Sequence, residues 1–236
     1  MSMKTRLFLF GAICIAAVNV HATPLKIVKV NASTFNCLFS SNCTVAVNNL
    51  VTPFVTNIPP FTVNPTNPPQ TETNLALSGY LQSRTFKGQP GTPEAGLTAY
   101  EYRLVLQHLT KTTGIKGVSR KSFSINSLAF NFSPYSSFNY NKQSSNQVWV
   151  VTSGGPGSVG LSSAVASGSK VTFNFNPPLT LLSASNQEAS SYFWGMLSPH
   201  PSPNSVDGWA TCTGSEELSS GSPIPINYLM LLVRTP

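Results

Sequence analysis

Hydrophobic and polar residues alternate along several segments of the chain, with the period of two that is typical of half-buried β-strands. In KVTFNFN, the apolar residues Val171, Phe173 and Phe175 share one face, and polar residues occupy the other. The segments EYRLVLQHL and KSFSINSLAFNFS show the same alternation. Each segment is therefore predicted to form a strand with its apolar face against a core, and Pro177-Pro178 is expected to end the first of them.

Further strand signals occur along the rest of the chain. They lie at Asn74–Phe86, Gln147–Thr152, Ser191–Leu197, Trp209–Cys212 and Ile226–Val233. Turn-forming sequences such as SGGPG and SPHPSPNS separate them, and no window shows an apolar helical stripe with a cap. The pattern predicts an all-β protein, folded as an antiparallel β-sandwich or jelly roll with a Pro-rich extended N-terminal segment.

The Pro-rich segment indicates how the chain is divided. Six prolines lie between residues 53 and 69, and proline removes the backbone donors that a central strand or a helix needs. We expect an extended connector that ends near residue 70. The predicted parts are a signal peptide, 1–22, N-terminal strands with the Pro-rich connector, 23–70, and a β-sandwich domain, 71–236.

The N-terminus has the layout of a secretory signal peptide. Lys4 and Arg6 precede a short apolar run that ends in Val20-His21-Ala22, with small residues at the two positions that determine cleavage. The run is shorter than the roughly 20 residues of a comfortable transmembrane helix. We predict cleavage before Thr23 and a protein that is secreted, periplasmic or at the cell surface, with no membrane span after signal cleavage.

Charge and composition narrow the range of partners. The chain has 14 basic and 7 acidic residues, for a net charge of +7, and only 9% of its residues are charged. Its basic residues are scattered and do not form a patch with interleaved aromatics, which argues against nucleic acid as a partner. Ser, Thr and Asn are expected to cover the surface, and the expected partners are an extracellular polysaccharide or a second copy of the chain.

Three cysteines follow the predicted cleavage site. Export favours oxidation, and Cys37–Cys43, which closes a short loop, is the favoured disulfide. Pairing of Cys212 with either of them is the alternative. A metal site is not predicted, because CxxxxxC without a nearby histidine is a poor zinc pattern, and the sequence indicates no cofactor.

A Gly-Gly-Pro-Gly sequence at 154–157 resembles the oxyanion-hole loop of some hydrolases. A Gly-x-Ser-x-Gly nucleophile elbow should follow it, but the sequence around Ser158 has Pro where the first Gly belongs. The rest of a triad would have to come from Asp207 and either His108 or His200. We therefore interpret the loop as a turn between two strands and not as an active site.

The carboxylates give no clear sign of catalysis. Glu101 is the only acidic residue within a clear strand, and a pairing of Glu101 with Glu188, of the kind that glycosidases use, remains open. The Asn-rich sequence FNYNKQSSNQ contains no carboxylate for calcium. No catalytic residues are predicted, and the protein is not expected to be an enzyme.

Aromatic residues are the candidates for ligand binding. Tyr135, Tyr140 and Trp194 lie close to Ser or Asn residues, where exposed rings would be free to stack on sugars. The alternative is that alternate residues belong to the core, such as Tyr192 and Trp194, with Phe193 at an edge.

The segment from Leu77 to Leu197 resembles the exported bacterial PEP-CTERM and choice-of-anchor secreted domains. The resemblance rests on SGYLQSRTF, AGLTAYEYRLVL, VWVVTSGGPGSVG, SKVTFNFNPPL and SSYFWGMLS. It implies an exported β-sandwich of a family without established chemistry. The chain shows no Pro-Glu-Pro motif, closing transmembrane helix or basic tail, so free secretion is expected and not surface anchoring.

These observations predict an exported, non-catalytic β-sandwich protein that acts as an extracellular matrix, surface or adhesion component. A carbohydrate-binding module is the alternative function, and a secreted hydrolase is a second alternative.

Overall fold

The computed structural model describes residues 21–58, 62–63, 70–71, 75–110, 120–182, 187–201, 208–218 and 223–236. Within these ranges the chain forms one short helix, α1 (Ala32–Asn36), and seventeen strands. The strands are β1 (Thr23–Leu25), β2 (Ile27–Asn31), β3 (Asn48–Ile58), β4 (Thr62–Val63), β5 (Gln70–Thr71), β6 (Leu75–Lys87), β7 (Thr98–Thr110), β8 (Arg120–Asn131), β9 (Phe138–Tyr140), β10 (Gln143–Asn146), β11 (Val148–Ser153), β12 (Leu161–Ser167), β13 (Lys170–Leu182), β14 (Ala189–Ser190), β15 (Phe193–Ser198), β16 (Gly208–Leu218) and β17 (Pro223–Val233). No helix among the described residues is long and apolar enough to cross a membrane.

Two large sheets contain most of the strands. One is six-stranded, in the order β1-β12-β13-β8-β16-β17, and the other is seven-stranded, in the order β2-β11-β15-β7-β6-β3. Among the described strands, every ladder is antiparallel except that between β2 and β11. The prediction of an all-β, antiparallel sandwich is confirmed.

The inner faces of the two sheets pack against each other to form the main core. Tyr102 of β7 contributes from the seven-stranded sheet, and Phe130 of β8 and Phe173 of β13 contribute from the six-stranded sheet. The ring centroids of Tyr102 and Phe130 lie 4.8 Å apart. The alternation in KVTFNFN is confirmed, because Val171 and Phe175 are buried in this core together with Phe173.

Strand β13 continues through Pro177 and Pro178 to Leu182, so the prediction that this pair ends the strand is wrong. The register against β8 shifts between Asn174 and Leu179, which places both prolines in an irregular part of the ladder. Proline weakens a strand where its missing N–H would have formed a ladder bond, and a bulge therefore tolerates it.

Strands of the N-terminal segment pair with strands of both large sheets. β1 extends the six-stranded sheet by pairing with β12, and β2 extends the seven-stranded sheet by pairing with β11. β3 pairs with β6 from Asn48 opposite Thr85 to Ile58 opposite Leu75. Pro53 is tolerated because β3 is an edge strand. The other five prolines of the predicted connector lie outside the described residues.

A second hydrophobic cluster covers the outer face of the seven-stranded sheet. Phe35 of α1 and Phe39 of the following turn belong to this cluster, together with Trp149 of β11 and Phe193 of β15. The ring centroids of Phe35 and Trp149 lie 4.8 Å apart. Strands β11 and β15 are consequently buried on both faces.

The cap over this second cluster is a helix that the sequence pattern did not predict, followed by a disulfide. Asn31 is the N-cap of α1, and its side-chain oxygen accepts a hydrogen bond from the backbone N–H of Ser33 at 3.0 Å. The Cys37–Cys43 disulfide closes the turn after the helix, and the predicted pairing is confirmed. Cys212 is free and buried.

Candidate functional site

The aromatic residues predicted to stack on sugars are largely interior. Trp194 is 1% exposed and packs in the main core against Phe173 and Phe175. Tyr140 is buried in the second cluster, and Tyr135 is half-buried against the main core. A sugar platform at Trp194 and Tyr140 is therefore wrong, because core packing leaves neither ring face for a ligand. The alternative assignment of Trp194 to the core is confirmed.

The Gly-Gly-Pro-Gly sequence forms a corner that leads from β11 of the seven-stranded sheet to β12 of the six-stranded sheet. Gly154 and Gly157 have φ angles of +75° and +106°, which L side chains rarely adopt. A Cβ at Gly157 would also collide with the backbone carbonyl of Ser191. The interpretation of this sequence as a turn is confirmed.

Three residues of the hydrolase alternative, Ser158, His108 and His200, lie in different parts of the fold. The Ser158 hydroxyl donates to the backbone oxygen of Ser190 at 3.4 Å. His108 is exposed on β7, and His200 follows β15. Asp207 lies outside the described residues. In the part of the chain that the structure describes, no hydrogen bond joins Ser158 to a histidine.

The two glutamates whose pairing the sequence left open have different partners. Glu101 is 1% exposed, and its carboxylate accepts hydrogen bonds from Arg84 Nε at 2.6 Å and from Trp149 Nε1 at 2.8 Å. Glu188 accepts a hydrogen bond from Gln107 Nε2 at 2.7 Å. Gln107 lies about 20 Å along β7 from Glu101, whereas glycosidase carboxylates lie about 5–10 Å apart. Glu101 and Glu188 thus do not form a glycosidase-type pair.

Burial dominates the chemistry of titratable groups in the main core. Burial raises the pKa of the Cys212 thiol, and it raises the pKa of the Tyr102 hydroxyl, which donates to the backbone oxygen of Arg234 at 2.7 Å. A thiol that stays protonated is a poor nucleophile and a poor metal ligand. Among the residues described, no three His, Cys, Asp or Glu side chains are grouped so that they could hold a metal ion.

The outer face of the six-stranded sheet is covered by small polar side chains. On β13, Val171 and Phe173 point into the main core, so Thr172 and Asn174 point away from it. The same alternation operates on β12 and β16 and, on either side of an irregularity between Ile125 and Leu128, on β8. We call the resulting surface the hydroxyl face, and it consists of Ser124, Ser127, Ser163, Thr172, Asn174, Thr180, Thr211 and Thr213.

The strand register aligns residues of the hydroxyl face in rows. Thr213, Ser127, Asn174 and Ser163 lie side by side across four strands. The hydroxyls of Ser127 and Thr213 share a hydrogen bond of 2.6 Å, and Asn174 Nδ2 donates to Ser163 Oγ at 2.9 Å. Strands lie about 4.8 Å apart, so this row presents donors and acceptors at that spacing, although Ser127 is only 8% exposed and the next row contains the apolar Ala129 and Val165.

Trp209 stands at one end of the hydroxyl face and is 58% exposed. It shares that face with Thr211, because Ala210 between them points into the main core. The rows themselves are uncharged, and Lys170 lies beyond them at the start of β13. Sequence reasoning placed Trp209 in a strand but missed its exposure, although its alternation with Ala210 and Cys212 was a usable signal.

No protein-family model matches the chain, and neither a curated protein nor a solved structure matches it.

Proposed function

We propose that the protein is an exported, non-catalytic β-sandwich that serves as an extracellular matrix or adhesion component by binding neutral polysaccharide on its hydroxyl face. One observation carries the proposal. Uncharged rows of hydroxyl and amide groups and the exposed ring of Trp209 occur on the same sheet face.

The chemistry of the hydroxyl face suits a neutral sugar polymer. Sugar hydroxyls both donate and accept hydrogen bonds, as Ser, Thr and Asn side chains do. Neither surface has to lose the hydration of a charged group when the two meet, which removes the largest desolvation cost. The exposed indole of Trp209 offers an apolar ring surface to the C–H side of a sugar ring.

The shape of the face suits an extended chain more than a single sugar. The row that runs from Thr213 to Ser163 crosses four strands, a span of about 14 Å. The face is formed by an open sheet, so a polymer can continue past either edge. A matrix or adhesion component needs this kind of contact, because many modest interactions repeat along one polymer.

Export is part of the proposal and rests on the predicted signal peptide. The strand β1 begins at Thr23, the residue before which cleavage is predicted. The Cys37–Cys43 disulfide is typical of proteins that fold in an oxidising compartment.

The proposal is tested by co-sedimentation of the chain that begins at Thr23 with insoluble cellulose, chitin and mannan. We expect binding to at least one polymer, and Trp209→Ala should weaken it about tenfold, since a lost aromatic contact costs about 1.4 kcal/mol. Val51→Ala truncates an exposed apolar side chain of the other sheet and should bind like wild type. Binding should persist at high salt, because the rows carry no charge.

Failure of all three polymers to bind, or equal binding by Trp209→Ala, would contradict the proposal. Binding that disappears at high salt would instead be due to the positive net charge of the chain. If the protein sediments alone and Trp209→Ala prevents this, the partner of the hydroxyl face is a second copy of the chain and not a polysaccharide.

A further inference from the structure

A cavity of about 280 Å³ lies next to the glycine corner, on the outer side of the seven-stranded sheet. We call it the corner pocket. Its lining combines apolar residues with one ion pair and includes Ala32, Val45, Val47, Arg84, Glu101 and Gly154.

Arg84 is held in place at this pocket from two directions. Its Nε donates to Glu101 Oε2 at 2.6 Å, and its guanidinium carbon lies 3.7 Å from the centre of the Phe193 ring. Glu101 is fixed in turn, because its other carboxylate oxygen accepts the Trp149 Nε1–H at 2.8 Å. Phe193, which was expected at an edge, is buried beneath the guanidinium group. Little freedom is left for Arg84 to lose when a ligand binds.

The ion pair with Glu101 uses only part of the guanidinium group. A carboxylate that served Arg84 alone would be expected to accept two parallel N–H bonds. Glu101 instead gives one oxygen to Nε and the other to Trp149, and no described residue pairs with the two Nη groups. The Arg84 side chain is 26% exposed and lines the corner pocket, so these donors are accessible there.

We propose that the corner pocket binds a small organic carboxylate with an apolar body. The ligand carboxylate accepts two hydrogen bonds from the Nη groups of Arg84, a geometry that guanidinium favours and ammonium does not match. The apolar body packs against Ala32, Val45 and Val47. Because Glu101 also lines the pocket and neutralises Arg84, recognition of the ligand carboxylate rests on its direct charge-assisted bonds to the Nη groups and not on a net positive charge of the pocket.

The glycine corner keeps the space beside α1 open. A Cβ at Gly154 would lie 3.4 Å from the Cβ of Ala32, and a Cβ at Gly155 would lie 3.2 Å from Val151 Cγ1. Any larger side chain at Gly154 would narrow the pocket from this side. The corner pocket lies on the seven-stranded sheet, and the hydroxyl face belongs to the six-stranded sheet. Ligand binding at one site can therefore be tested independently of binding at the other.

The test is a calorimetric titration of the chain that begins at Thr23. The two ligands are benzoate and benzamide, an uncharged probe of similar shape. We expect benzoate to bind about tenfold more tightly than benzamide, because charge-assisted bidentate hydrogen bonds are the stronger kind. Arg84→Lys keeps the charge but removes the fork, so it should lower benzoate affinity about tenfold and leave benzamide affinity nearly unchanged.

A second variant leaves the buried ion pair intact. Val47 is exposed and lines the corner pocket, so Val47→Trp should block the pocket without disturbing the core, and benzoate binding should be lost. Val51→Trp places the same ring at another exposed valine, outside the lining of this pocket, and should bind benzoate like wild type.

Three results would each overturn the proposal. They are equal affinities for benzoate and benzamide, unchanged benzoate binding in Val47→Trp, and no benzoate binding by a wild-type chain that is folded by circular dichroism. Polysaccharide binding is measured separately, through Trp209→Ala, so neither result substitutes for the other.

Discussion

Two buried glutamates, Glu94 and Glu101, differ in the partners that surround their carboxyl groups. Glu101 has an ion pair with Arg84 and a hydrogen bond from Trp149. Glu94 accepts a hydrogen bond from the backbone N–H of Asn139 at 3.0 Å, and burial raises the pKa of its carboxyl group. A buried carboxyl that resists ionisation makes the stability of the fold depend on pH.

The folded protein should lose stability as the pH rises above 4.5, the ordinary pKa of the Glu94 carboxyl. The folded state binds the proton more tightly than the unfolded state, so the contribution is fully present below that pH and is lost as the pH rises through the raised pKa. Glu94→Gln cannot ionise and should match wild type at low pH and exceed its stability at neutral pH. Urea denaturation across this pH range measures the difference, and greater wild-type stability at neutral pH would refute the explanation.

At the scale of the element, successive side chains of strand β13 point alternately into the main core and onto the hydroxyl face. Phe173 lies in the main core, with its ring centroid 5.3 Å from that of Phe130. Thr172, the preceding residue, lies on the hydroxyl face. Two neighbouring positions of one strand should therefore respond very differently to the same truncation.

Phe173→Ala should lower the free energy of unfolding by about 4 kcal/mol, because it removes a buried ring and leaves a cavity. Thr172→Ala should change it by about 0.5 kcal/mol or less, since this side chain lies outside the core. Chemical denaturation of both variants checks the pair. Losses of similar size would mean that the two faces of β13 do not differ in burial as the structure describes.

At the scale of the whole molecule, β1 and β2 form an N-terminal arm that supplies one edge strand to each of the two large sheets. β1 and β2 are separated only by Lys26, yet β1 pairs with β12 in one sheet and β2 pairs with β11 in the other. The backbone oxygen of Lys26 accepts hydrogen bonds from the N–H groups of Gln147 and Val148, both at 3.1 Å. The arm therefore protects two strand edges that would otherwise expose unpaired backbone groups.

A chain that begins at Ala32 should associate, because removal of β1 and β2 opens the edges of β12 and β11 together. Size-exclusion chromatography with light scattering should show oligomers or aggregates for this chain and lower thermal stability than for the chain that begins at Thr23. A stable monomer after the truncation would show that the arm has no protective role.

The sequence predicted the strands of the sandwich better than its candidate site. Alternation is local, so the faces of β7, β8 and β13 could be assigned from a few residues each. Exposure depends on distant residues, so the sequence around Trp194 is compatible both with sugar stacking and with core packing. Trp194 lies in β15, which is buried on both faces, whereas Trp209 of β16 is 58% exposed, and this difference arises from the packing of other elements.

Local sequence patterns were sufficient to predict the all-β class, the inward faces of the long strands and the turn at the glycine corner, and they favoured the Cys37–Cys43 disulfide without excluding a pairing with Cys212. Each depends on residues that are close together along the chain. Three features appear only in the folded structure: β1 and β2 join the two sheets, α1 packs on one outer face, and Arg84, Glu101 and Trp149 meet. These arrangements depend on pairing between distant strands, and a local pattern does not specify which strands become neighbours.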